Sequence, residues 1–296
     1  MSNLKALKTR INSVKSTQKM TKAMKMVAAS KMKKAKALVE SSRPYSNKIE
    51  EMISQIASNT AIRKNLDTKF PLLTGRSKNK NYLIVVISSD RGLCGGLNSA
   101  AVKFAKIRIE ELKKQDVDVT VFCVGKKGYE QLKTNYKNII IDNIFGIFKN
   151  NIDYKVAQQI SDKLITLFEE RKFDVCEVVY SKFKSAIVQE QICKQIIPVQ
   201  INQDSTQIKK PQSPINYESD REEILSELLP KALMMQIYNE LLENNASEQG
   251  ARMAAMESAT NNAGQMIKNL TLHYNRTRQA NITTELIDII SGANSV

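Results

Sequence analysis

A glycine-rich turn, SDRGLCGGLN at 89–98, follows the apolar run YLIVVIS at 82–88 and precedes a helical pattern from about 99 to 115. A strand, a turn and a helix N-terminus in that order can hold a phosphate, because free backbone N–H groups and the helix dipole point at the anion. The spacing meets neither standard pattern. G-x-x-x-x-G-K-[ST] is absent from the chain, and Gly92, Gly95 and Gly96 do not space as G-x-G-x-x-G. The residues read instead as a tight turn shaped against another protein surface. His273 is the single histidine and has no second His or Cys at ligand spacing, so no metal site is expected. Cys94, Cys123, Cys176 and Cys193 show no C-x-x-C spacing and mostly sit in apolar, strand-like segments. They read as reduced structural thiols in a reducing compartment. Acidic residues are scattered without a pair in a pocket-forming context, so no catalytic residue and no cofactor is expected.

Lysines supply the other chemistry. Lys8, Lys15 and Lys22 repeat every seven residues, with Lys5 and Lys19 nearby, which gives one helix flank a positive stripe suited to an acidic partner. Residues 1 to 60 carry 13 Lys/Arg against 3 Asp/Glu, whereas residues 207 to 296 carry 8 against 11. The two ends have opposite sign, which favours their pairing and leaves the N-terminal end as the positive surface. Eleven Lys/Arg precede the first acidic residue, Glu40, superficially like an organelle transit peptide. The segment is Lys-rich rather than Arg-rich, and its spacing has a structural use.

That use is a helix. Leu4, Leu7, Ile11, Val14, Met20, Met24, Val27, Met32 and Ala35 fall mostly three or four apart, with no Pro before Pro44 and no Gly before Gly75. An amphipathic helix of at least 40 residues is predicted, continuing through Ile49, Met52, Ile53 and Ile56 if Pro44 is tolerated as a kink. At the other end, Leu225, Leu228, Ala232, Met235, Asn239, Leu242, Ala246, Gln249, Met253, Met256, Thr260, Ala263, Ile267, Leu270 and Tyr274 alternate spacings of three and four, a coiled-coil seam. Pro230 is expected to begin or bend that helix. Both seams hold small and polar residues, which lets two helices approach closely. The two ends must run antiparallel if a central domain joins them.

Between them, strands are predicted at 82–88, 117–124 and 175–181, with apolar runs near 187 and 196–201, alternating with helical patterns that include 153–171. A small open α/β sheet follows. The polar insert Gln203 to Tyr217 reads as a linker. The expected fold is α+β or α/β: a long antiparallel coiled coil of N- and C-terminal helices plus a small central Rossmann-like domain. The expected division is a shaft helix at 1–60, the α/β domain at 61–206, and linker plus second shaft helix at 207–296. Composition agrees: 296 residues, 42% hydrophobic, only 6% aromatic, no Trp, and a net charge of +15. No stretch approaches the roughly 18 apolar residues of a membrane span, so a soluble or membrane-peripheral protein is expected.

Three segments, TQKMTKAMKMVAASKM at 17–32, SSDRGLCGGLN at 88–98 and ASEQGARMAAMESATNNAGQMIKNLTLHYNRTRQANITTELIDIISGA at 246–293, closely resemble gamma subunits of bacterial and organellar F-type ATP synthases. The resemblance covers essentially the whole chain, most weakly at 203–217 and around 60–80. It implies a central rotor shaft, one copy per complex, coupling proton translocation through a c ring to conformational change in a ring of alpha and beta subunits that carries the catalysis. Partners implied are the alpha, beta, epsilon and delta subunits and the c ring. The implied location is peripheral, on the cytoplasmic face of a bacterial plasma membrane, with a mitochondrial matrix side as alternative. By resemblance, Lys22, Met24 and Lys25 lie where the shaft passes an acidic lever loop of beta, and Arg252, Arg278, Gln279, Thr283 and Glu285 form polar catches with the alpha/beta ring. Arg91, Gly92, Leu93, Cys94, Gly95 and Gly96 are assigned to epsilon or the c ring. The residues alone leave a second reading, a basic coiled-coil protein binding nucleic acid through its Lys-rich helix. That reading predicts aromatics or Arg among the lysines, yet Tyr45 is the first aromatic and Arg10 the only Arg before Arg43.

Overall fold

The computed structural model describes residues 2–57, 70–76, 80–149, 152–199 and 221–293. The insert expected at 203–217 lies outside them. Two helices dominate. Helix α1 spans Ser2–Ala57 and α5 spans Arg221–Ala293. Between them come a single helical turn at Pro71–Thr74, β1 (Asn81–Ile87), α2 (Leu97–Lys114), β2 (Asp118–Val124), α3 (Lys126–Tyr136), β3 (Ile140–Ile144), α4 (Tyr154–Glu169), β4 (Val175–Phe183) and β5 (Gln189–Ile197). The expected long terminal helices and small central α/β sheet are both present, the sheet being mixed because β5 is antiparallel. Among the described residues no helix is long and apolar enough to cross a membrane.

Both prolines are accommodated inside helices. Pro44 is exposed on α1, where loss of its N–H leaves the Glu40 carbonyl to water rather than to a buried interior. Pro230 does not begin α5, which starts at Arg221.

The chain divides into two compact units. The first comprises residues 1–30 and 252–296. Within it α1 and α5 run antiparallel: Lys25 meets Glu257, Thr21 meets Thr260, and Gln18 reaches both Thr260 and Gly264. Among the described residues the buried ones are few, and half of them are small: Leu7, Ile11, Thr21 and Ala28 from α1, Met256 and Ala263 from α5. Leu7, Ile11, Thr21 and Ala28 keep one face, since at about 100° per residue the four fall within about 100° of arc.

The second unit comprises residues 31–251. Its five-stranded sheet has the order β3-β2-β1-β4-β5; the first four strands are parallel and β5 is antiparallel to β4. Both faces are covered, so β1 reads as a continuous apolar run rather than an alternating one. Leu83, Val85 and Ile87 point to a core shared with α1, α4 and α5, including Val39, Ile53, Leu164, Leu233 and Leu241. Ile84 and Val86 point to the opposite core with Val102, Ala105 and Ile109 of α2 and Leu132 of α3. Strand β3, IIDNI, was not among the predicted strands. It is a short edge strand whose state rests on parallel pairing to β2, with a register shift at Val121/Phe122.

Candidate functional site

In the first unit the α1 lysines gather on one side of the helix pair. Lys19, Lys22 and Lys25 line an open groove of about 440 Å³ together with Gln18, Met26, Glu257, Thr260 and Asn261. Helical periodicity puts the four α1 positions Gln18, Lys19, Lys22 and Lys25 on adjacent ridges. The floor is a polar rung: the Thr21 and Thr260 hydroxyls lie 2.7 Å apart, and Thr260 Oγ1 also donates to the Met256 carbonyl. Lys25 Nζ donates to Glu257 Oε1 at 2.6 Å, whereas Lys22 is exposed. Met24 is half-buried, and Met20, Met26 and Val27 are exposed apolar residues on the same helix. Of these apolar residues Met26 alone lines the groove, so the groove combines cations with one apolar shoulder, while Met20, Met24 and Val27 lie outside it.

The C-terminal candidates are not part of this groove. Arg252 is half-buried, and Arg278, Gln279, Thr283 and Glu285 are exposed. Thr283 Oγ1 bonds back to the Gln279 carbonyl of its own helix. From Ile282 to Ser291 every residue of α5 is exposed, including Leu286, Ile287, Ile289 and Ile290. Among the described residues no element covers this apolar stretch.

In the second unit the glycine-rich turn caps the C-terminal edge of β1. The Asp90 carboxylate accepts the backbone N–H groups of Lys126 at 3.2 Å, Gly146 at 2.9 Å and Phe148 at 3.1 Å, so it ties the start of α3 to the segment after β3. Asn98 Oδ1 accepts from Ser89 N at 3.0 Å, and its Nδ2 donates to Ser89 Oγ and to Cys94 Sγ. These bonds hold Cys94 buried against Leu97 and Ala251 of α5. The outer turn stays in solvent: Arg91, Gly92, Leu93, Gly95 and Gly96 are exposed, with Leu93 63% exposed at φ 66° and Gly95 at φ 59°. A left-handed leucine presented to water is a local strain that a partner surface can use.

All four cysteines are free thiols. Burial pushes the Cys123 thiol up to about 12 and that of Cys176 well above its ordinary value, so neither is a nucleophile. No group of three or more metal-ligating side chains occurs among the described residues. Two features escaped the sequence reading. Glu257, placed by helical spacing beside the seam, is the partner of Lys25; the acidic C-terminal third was its only signal. Glu240, deeply buried where α5 lies on the sheet, had none.

The comparisons with known proteins agree along the whole chain. Residues 3–296 match a family model described as ATP synthase. The chain is 45% identical to the ATP synthase gamma chain of Pelagibacter ubique (strain HTCC1062) and 44% identical to that of Rhodospirillum rubrum, in each case over 100% of both chains. Against the gamma chain of Rhodopseudomonas palustris (strain TIE-1) identity is 46% over 100% of both. Among solved structures, a chain of the central stalk/c ring of Tetrahymena thermophila mitochondrial ATP synthase matches with 27% identity and a TM-score of 0.62, over 81% of this chain and 99% of that one. A chain from the Euglena gracilis mitochondrial ATP synthase shares the fold at 17% identity and a TM-score of 0.65, over 99% and 94%. The nucleic-acid reading finds no support in these relatives.

Proposed function

The chain belongs to the family of ATP synthase gamma chains, and from that premise we propose how its residues act as the central rotor shaft, coupling proton flow through a c ring to ATP chemistry on alpha and beta subunits. It is a subunit of a complex that catalyses ATP synthesis, associated peripherally with the membrane. The chain itself is non-catalytic in this reading and works on the cytoplasmic face of a bacterial plasma membrane, in contact with alpha, beta, epsilon and delta subunits and the c ring.

The observation that carries the reading is the one-sided distribution of charge on the antiparallel helix pair. Lys19, Lys22 and Lys25 border one groove, so the pair has no three-fold symmetry. A symmetric rod would impose one state on all three catalytic subunits. A positive flank that passes an acidic lever loop of beta favours one of them at a time, and each third of a turn changes which one. Lys22, Met24 and Lys25 form that contact, with Lys22 the stronger charge because Glu257 already offsets Lys25. Arg252, Arg278, Gln279, Thr283 and Glu285 act as polar catches against the alpha/beta ring. Exposed ion pairs are worth about 0 to 1 kcal/mol each, which suits contacts that must break on every turn. Arg91, Gly92, Leu93, Gly95 and Gly96 form a second partner surface on the sheet unit, which the epsilon subunit or c ring contacts; Cys94, assigned to that surface by resemblance, is buried beneath the turn and supports it from within.

Co-expression with matching alpha and beta subunits tests this. A stoichiometric complex with ATPase activity should form only when the chain is present. A chain that stays free of both subunits, or a complex equally active without it, overturns the assignment.

A further inference from the structure

The face of α5 that lies on β4 and β5 is not wholly apolar. Glu240 is 2% exposed, and neither of its carboxyl oxygens has a hydrogen-bond partner among the described residues. The nearest cation is Lys194 of β5, whose Nζ lies 3.7 Å from Oε1. That distance attracts but is too long for donation. The Lys194 side chain is 42% exposed, so it spans from water to the rim of the buried acid. The other groups facing Glu240 are Cys176 and Tyr180 of β4 and Glu243 of α5. Glu243 is itself faced by Arg43 of α1 and by Lys182 of β4 and Lys194 of β5. Burial and Glu243 both oppose a charge on Glu240; among the described residues Lys194 alone favours it.

We propose that Glu240 holds a proton in the folded protein, and that the contact of α5 with β4 and β5 loosens as pH rises through the weakly acidic and neutral range, because opening the joint lets Glu240 ionise. A neutral carboxyl can be buried at far lower cost than a carboxylate. Desolvation, outweighing Lys194, pushes the acid up to about 8 from its ordinary 4.5. Because the folded value lies above the unfolded one, packing is firmest below the unfolded value, weakens as pH rises toward the folded value, and is level beyond it. The same face carries the bonds that fasten the joint. Ser247 Oγ donates to the Ser181 carbonyl at 2.8 Å, and Ser181 N donates to Asn244 Oδ1 at 3.3 Å. Ionised Glu240 draws Lys194 or water inward beside them. The inference concerns regulation of the sheet unit and goes beyond the shaft reading.

Hydrogen exchange on the assembled complex tests it, comparing wild type, Glu240→Gln and Lys194→Met over the peptides 189–197 and 232–248, corrected for the chemical exchange rate. Wild-type protection relative to Glu240→Gln should fall by up to about tenfold per pH unit between about pH 5 and 8 and then level off. Lys194→Met should move the levelling point to higher pH, since its favourable charge is gone. Should Glu240→Gln fail to assemble, Glu240→Leu supplies the neutral reference. Parallel pH profiles for wild type and the neutral variant overturn the proposal, and an unmoved profile in Lys194→Met overturns the part given to Lys194.

Discussion

Lys25 Nζ lies 2.6 Å from Glu257 Oε1, joining α1 to α5 across the seam of the first unit. The lysine is 36% and the glutamate 50% exposed, so the pair contributes at most about 1 kcal/mol and serves to set register. It also divides the work of the lysine flank. Charge reversal at Lys22 should impair coupling of ATP hydrolysis to proton pumping more than reversal at Lys25. The double swap Lys25→Glu with Glu257→Lys should recover most of what Lys25→Glu loses. Pumping in reconstituted vesicles reads both; an unaffected Lys22→Glu enzyme contradicts the electrostatic contact.

Asp90 should behave as a structural anion. Its carboxylate holds three backbone N–H groups from two loops, and Asp90→Ala leaves them without an acceptor. We expect a loss of about 2 to 4 kcal/mol by urea denaturation, with Asp90→Asn intermediate because one acceptor oxygen remains.

Gly125 permits the close approach of β1 to the loop before α3. Its φ is +100°, and a Cβ there would lie 2.1 Å from the Ser88 carbonyl oxygen, a backbone atom. Gly125→Ala should cost at least about 3 kcal/mol. Gly264→Ala, where a Cβ meets only the end of the Gln18 side chain at 3.0 Å, should be tolerated. Thermal denaturation of the two variants side by side checks the contrast.

Arg108 grips Glu177 through two bonds, Nε to Oε2 at 2.7 Å and Nη2 to Oε1 at 2.6 Å. Burial pushes the Glu177 carboxyl up, but the hydrogen bonds from Arg108 and the Cys193 thiol outweigh it and hold the group below its ordinary value. A depressed carboxyl contributes stability above its unfolded value and loses it as pH falls through the folded one. Arg108→Gln should therefore destabilise by about 2 to 3 kcal/mol at neutral pH, with the difference from wild type shrinking below about pH 4. A difference independent of pH contradicts the assignment to charge.

The long helices were legible because their apolar residues keep intervals of three and four over many turns, a pattern no strand can use. Strands β1, β2 and β4 were legible as apolar runs bounded by turns. Strand β3 was not: five residues with Asp142 and Asn143 inside carry no alternation, and the strand owes its state to pairing with β2. Pro230 argued locally for a helix start, but packing of Leu225 and Leu229 into the main core extends α5 ahead of it. The lysine flank was visible as a seven-residue repeat. Its division into a paired Lys25 and an exposed Lys22 was not, because Glu257 lies 232 positions away along the chain.

The most direct test of the shaft reading is single-molecule rotation. A bead or rod fixed to an exposed position of this chain, in a complex whose alpha/beta ring is held to a surface, should turn in one direction in steps of a third of a revolution when ATP is supplied. A label that stays still while ATP is hydrolysed at the normal rate would contradict the account.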